Sequence, residues 1–341
     1  MKAIEMYKGK INAALNKFLE NKVKEDGAYS EETKKLIENI MEFNLRGGKR
    51  IRPLIIIFAY KCFKEGEESQ IVDASIAIEL MQAYFLIHDD IMDNADLRRG
   101  KKSMHKLYDQ KDENFGKSIA ILAGNACASY VYEVILKSKF SDSSKLKALE
   151  WLRWIDQRVN YGQELDLMPG FENLNENEVM KIYELKTASY TAQGPIFLGA
   201  ALAQATDKEI NQLKEYGHKI GMAFQIQDDI LGVYGNIEEI GKPNDSDIKE
   251  GKKTLLIVKA LELCNAKDRE FLLKNYGVKN TSDEDLEKIR SIIKNCKALE
   301  YCNNKVEQLV AKGKESISNL ELRKEGKDFL FEMAEYIKNM T

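Results

Sequence analysis

The amino-acid sequence predicts an all-α protein, and three observations carry that prediction. Only four prolines interrupt 341 residues. The long proline-free stretches are rich in Leu, Ile, Ala, Glu and Lys, which favour helix over the turn-rich chain of an all-β protein. Apolar residues recur with a helical rather than an alternating period in nearly every segment.

Taken in order, residues 1–22 and 31–45 read as amphipathic helices, the second ending before Gly47-Gly48. Residues 52–64 and 71–93 are apolar on nearly all faces, the latter interrupted only by Asp73 and Glu79. Such helices belong in the interior of a large bundle, where neighbours cover them all round. Further helical runs are 116–138, 145–166, 176–204, 207–233 and 252–265. From 266 onward, short apolar groups alternate with many Lys and Glu, as in outer helices. The expected architecture is one domain over 1–341, a single large bundle of ten or more helices around a central cavity. A division near residue 266 is the alternative.

Composition narrows the function. A formal net charge of −3 gives no reason to expect nucleic acid as a partner. Five cysteines show no C-x-x-C pair or metal-finger spacing and read as reduced core thiols, and three histidines cannot build a His-rich zinc site. The N-terminus lacks a signal pattern, and no uncharged apolar run of about 18 residues is present to form a transmembrane segment. A soluble cytoplasmic protein is expected.

Two aspartate clusters carry the chemistry. Asp89 and Asp93, in Asp89-Asp90-Ile91-Met92-Asp93, are four residues apart, so on a helix they share a face one turn apart. They follow the apolar run Tyr84-Phe85-Leu86-Ile87, and half-buried like charges at that separation call for a neutralising cation. Hard oxygen donors favour magnesium, which keeps several waters and shares its coordination with substrate phosphates. Phe224-Gln225-Ile226-Gln227-Asp228-Asp229 repeats the logic late in another apolar helix. A single pair could be a solvated helix end; two, each ending a buried helix, point to a clamp on a diphosphate. The cations agree. Gly47-Gly48-Lys49-Arg50-Ile51-Arg52-Pro53 sets flexible glycines beside three cations, Arg98-Arg99-Gly100 follows the first cluster, and Lys242, Lys252 and Lys253 follow the second. Several separate cations imply two phosphate-bearing substrates.

These residues resemble the trans-isoprenyl diphosphate synthases over roughly residues 40–260. The resemblance rests on five ordered motifs: G-G-K-R-I-R-P at 47–53, D-D-I-M-D-N-A-D-L-R-R-G at 89–100, G-Q-E-L-D at 162–166, K-T at 186–187, and F-Q-I-Q-D-D-I-L-G followed by G-K-P-N-D-S-D-I-K-E-G-K-K. It implies an isoprenoid synthase fold and a homodimer. It also implies about three Mg2+ per active site, with Asp89, Asp93 and Asp228 as direct ligands. Arg98, Lys186, Lys252, Gln225 and Lys242 would hold the allylic diphosphate, dimethylallyl or geranyl. Lys49, Arg52, Gln82 and Arg99 would hold isopentenyl diphosphate. Thr187 and Gln225 would face the reacting carbons. Gly232, Asn236 and Asn125 stand where the family commonly has an acid, so metal affinity is expected to be weaker with activity retained.

Phe85 lies one helical turn before Asp89 and Tyr84 five residues before it, two bulky rings that read as a floor under a growing chain. In the family such a pair resembles enzymes that stop at farnesyl diphosphate. Geranylgeranyl diphosphate is the next expectation, and geranyl diphosphate a further one. Two other classes compete. A terpene cyclase would not need the G-G-K-R-I-R-P loop, and a catalytically silent regulatory subunit would release no diphosphate.

Overall fold

The computed structural model describes residues 1–109, 112–168, 170–171, 173–235 and 245–340. Among the described residues the fold is all-α apart from one two-stranded ribbon. The chain divides into two compact units: residues 1–151, 195–206 and 322–329 form the first, and 152–194, 207–321 and 330–341 the second.

In the first unit, α1 (Lys2–Glu25) buries Tyr7, Ile11, Leu15 and Leu19 at four-residue spacing, a single apolar stripe. Ser30 caps α2 (Glu31–Leu45) by accepting a hydrogen bond from the Thr33 amide at 3.0 Å. α3 (Ile51–Lys61) is buried continuously from Pro53 to Tyr60. Its proline falls in the first turn, where no intrahelical donor is lost.

The apolar run expected as one helix over 71–93 is divided. α4 (Glu68–Ser75) ends, and α5 (Ala77–Met92) begins after one intervening residue, Ile76. At the break Ser75 Oγ donates to the Val72 carbonyl at 2.7 Å, a side-chain bond that competes with the helical ladder. α5 packs against α6 (Glu113–Leu136), where Gly124 leaves room for His88 of α5.

By length and composition alone, two stretches of this unit could cross a membrane: Glu68–Met92 and Glu113–Leu136. Neither is an uncharged run: the first contains Asp73 and Glu79 and the second Lys117 and Glu133. The first stretch is 67% buried, as the core helix of a globular unit is, and the second 44%.

The second unit carries part of α7 (Asp142–Leu167), then α8 (Glu176–Ile182), which opens on a capping box between Asn175 and Glu178. From Tyr183 to Gln193 the chain is π-helical before α9 (Gly194–Leu202) resumes the α pattern, with Pro195 onward belonging to the first unit. The expected single helix over 176–204 thus contains a widened segment, and such segments recur at functional sites. α10 (Asp207–Gln212) leads into α11 (Lys214–Tyr234), which packs on the π-helical segment with Gly221 against Ala188. The tail is amphipathic throughout: helices Asp283–Asn295, Ala298–Ser318 and Lys324–Lys338 bury Leu286, Ile289 and Ile293, then Cys302, Val306 and Val310, then Phe329, Met333 and Ile337. Cys62, Cys127 and Cys302 are buried free thiols, and Cys264 and Cys296 are partly covered free thiols.

Candidate active site

In the first unit α5 ends on the first aspartate cluster. Asp89 is partly exposed and Asp93, just past the helix end, is open to solvent. Asp90 is fully buried and accepts two hydrogen bonds on Oδ1 from Arg98, at 2.7 Å from Nε and 2.5 Å from Nη2. Burial pushes the Asp90 carboxyl up to about 6 against the pull of Arg98. Burial also opposes the Arg98 charge, but Asp90 and Asp89 outweigh it, so the guanidinium stays firmly protonated.

Arg98 stands on a short antiparallel ribbon, Leu97–Arg98 with Lys101–Lys102, closed by Arg99 and Gly100. Both turn residues have positive φ, 54° and 74°, the turn that matches strand twist. Arg98, on the strand, returns to the aspartates, while Arg99, in the turn, reaches the glycine loop and donates to the Gly47 carbonyl at 2.6 Å. Arg46 closes the link by donating to the Arg98 carbonyl at 3.2 Å. Gly47 and Gly48 have φ of 97° and 124°, a backbone only glycine enters without strain. Lys49 points to solvent and Arg52 and Gln82 are partly covered. Burial first, and then the charges of Arg50, Arg98 and Arg52, lower the Arg99 guanidinium below its ordinary value in spite of Glu79. That surplus of positive charge is what an anion site requires.

One turn before Asp89, the Tyr84 and Phe85 rings lie 4.8 Å apart, and Tyr84 meets the His88 ring edge-on at 5.0 Å. His88 in turn lies over Gly124, where a Cβ would collide with the imidazole. Asn125 is the next residue of α6 and is exposed.

In the second unit a chain of hydrogen bonds joins the π-helical segment to α11. Thr187 Oγ1 donates to Gln225 Oε1 at 2.5 Å, and Gln225 Nε2 donates to Asp229 Oδ1 at 2.7 Å. Tyr183 donates to Asp229 Oδ2 and accepts from the Leu255 amide at 2.7 Å. Asp229 is therefore buried with both oxygens engaged, and burial drives its carboxyl well above the usual range, with Asp247 and Asp228 adding to the rise. Asp228, its neighbour, is only partly covered. Lys186 pairs with Asp166 at 2.6 Å, and Lys253 donates to the carbonyls of Asp166 at 2.9 Å and Leu165 at 3.1 Å. Lys252 binds Asp247 Oδ1 at 2.7 Å; burial opposes its charge, and Asp247 and Glu250 more than restore it.

Gly232 lies in a notch filled by another acid. Asp247 is 2% exposed, and a Cβ at position 232 would collide with its carboxylate. An aspartate at 232 has no room here. Lys242 and Asn236 lie outside the described residues. Sequence reasoning missed Tyr183, Asp247 and the inward turn of Asp90. Asp166 was within reach, since its motif was visible but assigned no partner.

Residues 34–293 match the polyprenyl synthetase family model. A short chain isoprenyl diphosphate synthase of Methanocaldococcus jannaschii is 36% identical over 259 residues, 75% of each chain. A geranylgeranyl diphosphate synthase of Sulfolobus acidocaldarius is 35% identical over 73% of this chain and 74% of its own. A crystal structure of geranylgeranyl pyrophosphate synthase from Corynebacterium glutamicum, complexed with isoprenyl diphosphate and magnesium, matches with a TM-score of 0.91 at 29% identity, over 99% of this chain and 98% of that one. The chain belongs to the polyprenyl synthetase family. Within it, the protein is a prenyltransferase, a short-chain trans-isoprenyl diphosphate synthase.

Proposed function

We propose that the enzyme condenses dimethylallyl or geranyl diphosphate with isopentenyl diphosphate, head to tail and 1′-4, and releases chiefly farnesyl diphosphate. The observation that carries the product length is the contact between Tyr84 and Phe85 one turn below Asp89. Two rings there close the space a chain longer than fifteen carbons would need. A second reading, geranylgeranyl diphosphate, is favoured by the names of two of the relatives above.

The donor set fits magnesium. Asp89, Asp93 and Asp228 are the incompletely buried aspartates, whereas Asp90 and Asp229 are buried on their own partners. Among the described residues no three metal-ligating side chains gather into a cage. That suits an ion held by one or two carboxylates, with waters and substrate phosphates completing its shell. When bound, magnesium would neutralise diphosphate and favour its departure.

The protein's own groups do the rest. Arg98, Lys186, Lys252, Gln225 and Lys242 hold the allylic diphosphate, and its C1–O bond breaks with the electron pair leaving on oxygen. Lys49, Arg52, Gln82 and Arg99 hold isopentenyl diphosphate so that its terminal carbon attacks the allylic cation. Thr187 and Gln225 present oxygens to the positive charge. A C2 proton is then lost to the released diphosphate, since no strong base is assigned to the site. Alignment of two bound substrates is worth on the order of 7 kcal/mol in favourable cases. A homodimer in the cytoplasm completes the proposal by family resemblance.

Purified protein should release diphosphate only when both substrates are present, and chelation of divalent cations should stop it. Release from the allylic substrate alone would point to a cyclase, and silence with both would point to a regulatory subunit.

A further inference from the structure

Three cations stand within four positions of the glycine loop, and one of them is not available to a substrate. The Arg50 side chain is 2% exposed and gives one hydrogen bond from each nitrogen: Nε to Asn12 Oδ1 at 2.8 Å, Nη2 to the Asn44 carbonyl at 2.9 Å, and Nη1 to Glu79 Oε2. Glu79, on α5, is itself buried at 4%. The Asn44 amide is anchored in turn on the Ile40 carbonyl at 2.8 Å. Arg50 adopts the left-handed backbone, φ 54° and ψ 36°, at the N-cap of α3 and makes no side-chain cap. That conformation costs a residue with a Cβ about 1–2 kcal/mol and persists only where the surroundings impose it. The triple anchorage of the guanidinium imposes it.

We infer that Arg50 and Glu79 are positioning residues: their buried pair locks the left-handed turn that points Lys49 outward and starts α3 with Arg52 in its first turn. The inference rests on the assignment of Lys49, Arg52, Gln82 and Arg99 to isopentenyl diphosphate. Glu79 stands three residues before Gln82 on the same helix face, and Arg50, Glu79, Gln82 and Arg99 line one small cavity. Arg99 also bonds the loop directly at Gly47. A loop held this way meets its anion without paying ordering entropy on binding.

Charge and position make opposite predictions for Glu79→Gln. Coulomb attraction alone says that deleting an acid that acts on Arg50 and Arg99 should tighten an anion. Positioning says that it should loosen the same anion, because Arg50 loses its ionic anchor and the turn relaxes.

The test measures KM for each substrate, kcat, the melting temperature and the calorimetric affinity for isopentenyl diphosphate, in Glu79→Gln, Arg50→Lys and Lys49→Ala. The expected result is a rise of about tenfold in KM and in Kd for isopentenyl diphosphate in the first two variants, about 1.4 kcal/mol. The allylic KM should stay within about twofold and the melting temperature within a few degrees. Unchanged or tighter isopentenyl diphosphate binding in Glu79→Gln would overturn the inference. So would a parallel fall in melting temperature, kcat and both affinities, which is what a merely structural pair would give. Lys49→Ala separates the two claims. If it leaves isopentenyl diphosphate binding intact, the assignment of the loop fails; if it weakens binding while the other two variants do not, only the positioning role fails.

Discussion

Asp228 and Asp229 are adjacent, chemically identical, and placed by about 100° of helix rotation in opposite settings. Asp229 turns inward to Tyr183 and Gln225, and Asp228 stays within reach of solvent and ligand. Asp89 and Asp90 repeat the division, with Asp90 spent on Arg98. The outward member of each pair is the one suited to a metal. Asp89→Ala and Asp228→Ala should each lower kcat by orders of magnitude while the melting temperature, read by circular dichroism, moves by only a few degrees. Near-normal turnover in either variant would refute the ligand assignment. Gly232→Asp offers a sharper contrast. From the sequence, this substitution restores a frequent family acid and should strengthen metal binding. In the structure Asp247 already fills the notch, so the new side chain overpacks it and sets a second carboxylate against the first. A loss of about 1–3 kcal/mol in stability on denaturant unfolding is expected. A variant as stable as the parent and more active would show that the notch can open. The sequence displayed the glycine but not its occupant, which comes from 15 positions along the chain.

At the scale of elements, α5 carries Asp89 at its end and, one turn earlier, Phe85 beside Tyr84. Phe85→Ala should lengthen the product toward twenty carbons, visible by chromatography of dephosphorylated alcohols. An unchanged product would remove the floor from the account. α8 illustrates a pH-dependent tie. Burial works against ionisation of Glu176, but bonds from Lys259, Lys305 and Tyr301 outweigh it and hold the carboxyl at about 2, below its ordinary 4.5. A depressed carboxyl contributes its stability above the unfolded value, and loses it as pH falls through the folded one. Glu176→Gln should therefore cost roughly 1–3 kcal/mol near neutrality, discounted for partial exposure, and the difference from the parent should fade between pH 4.5 and 2. A pH-independent difference would contradict this. Helix identity and most boundaries were legible because apolar stripes at a 3.6-residue period are long signals. The ribbon at 97–102 was not, since two residues per strand give no period to read. Nor was the π-helical segment, whose residues have ordinary helix composition. The inward role of Arg50 was not legible for a related reason: in sequence it is one more cation beside two glycines, and only the left-handed turn sends it inward.

For the whole molecule, the ordered motifs settled the reaction class early because each demands a residue type that packing alone would not supply. Product length rests on far less, two rings and what surrounds them, and relatives sharing about a third of their residues carry names with longer products. The most direct measurement is chromatography of what the unaltered enzyme makes from geranyl and isopentenyl diphosphates with magnesium. The account predicts farnesol as the main alcohol after dephosphorylation, with only traces of geranylgeraniol however long the incubation. Geranylgeraniol accumulating as the end product, with Tyr84 and Phe85 intact, would contradict it.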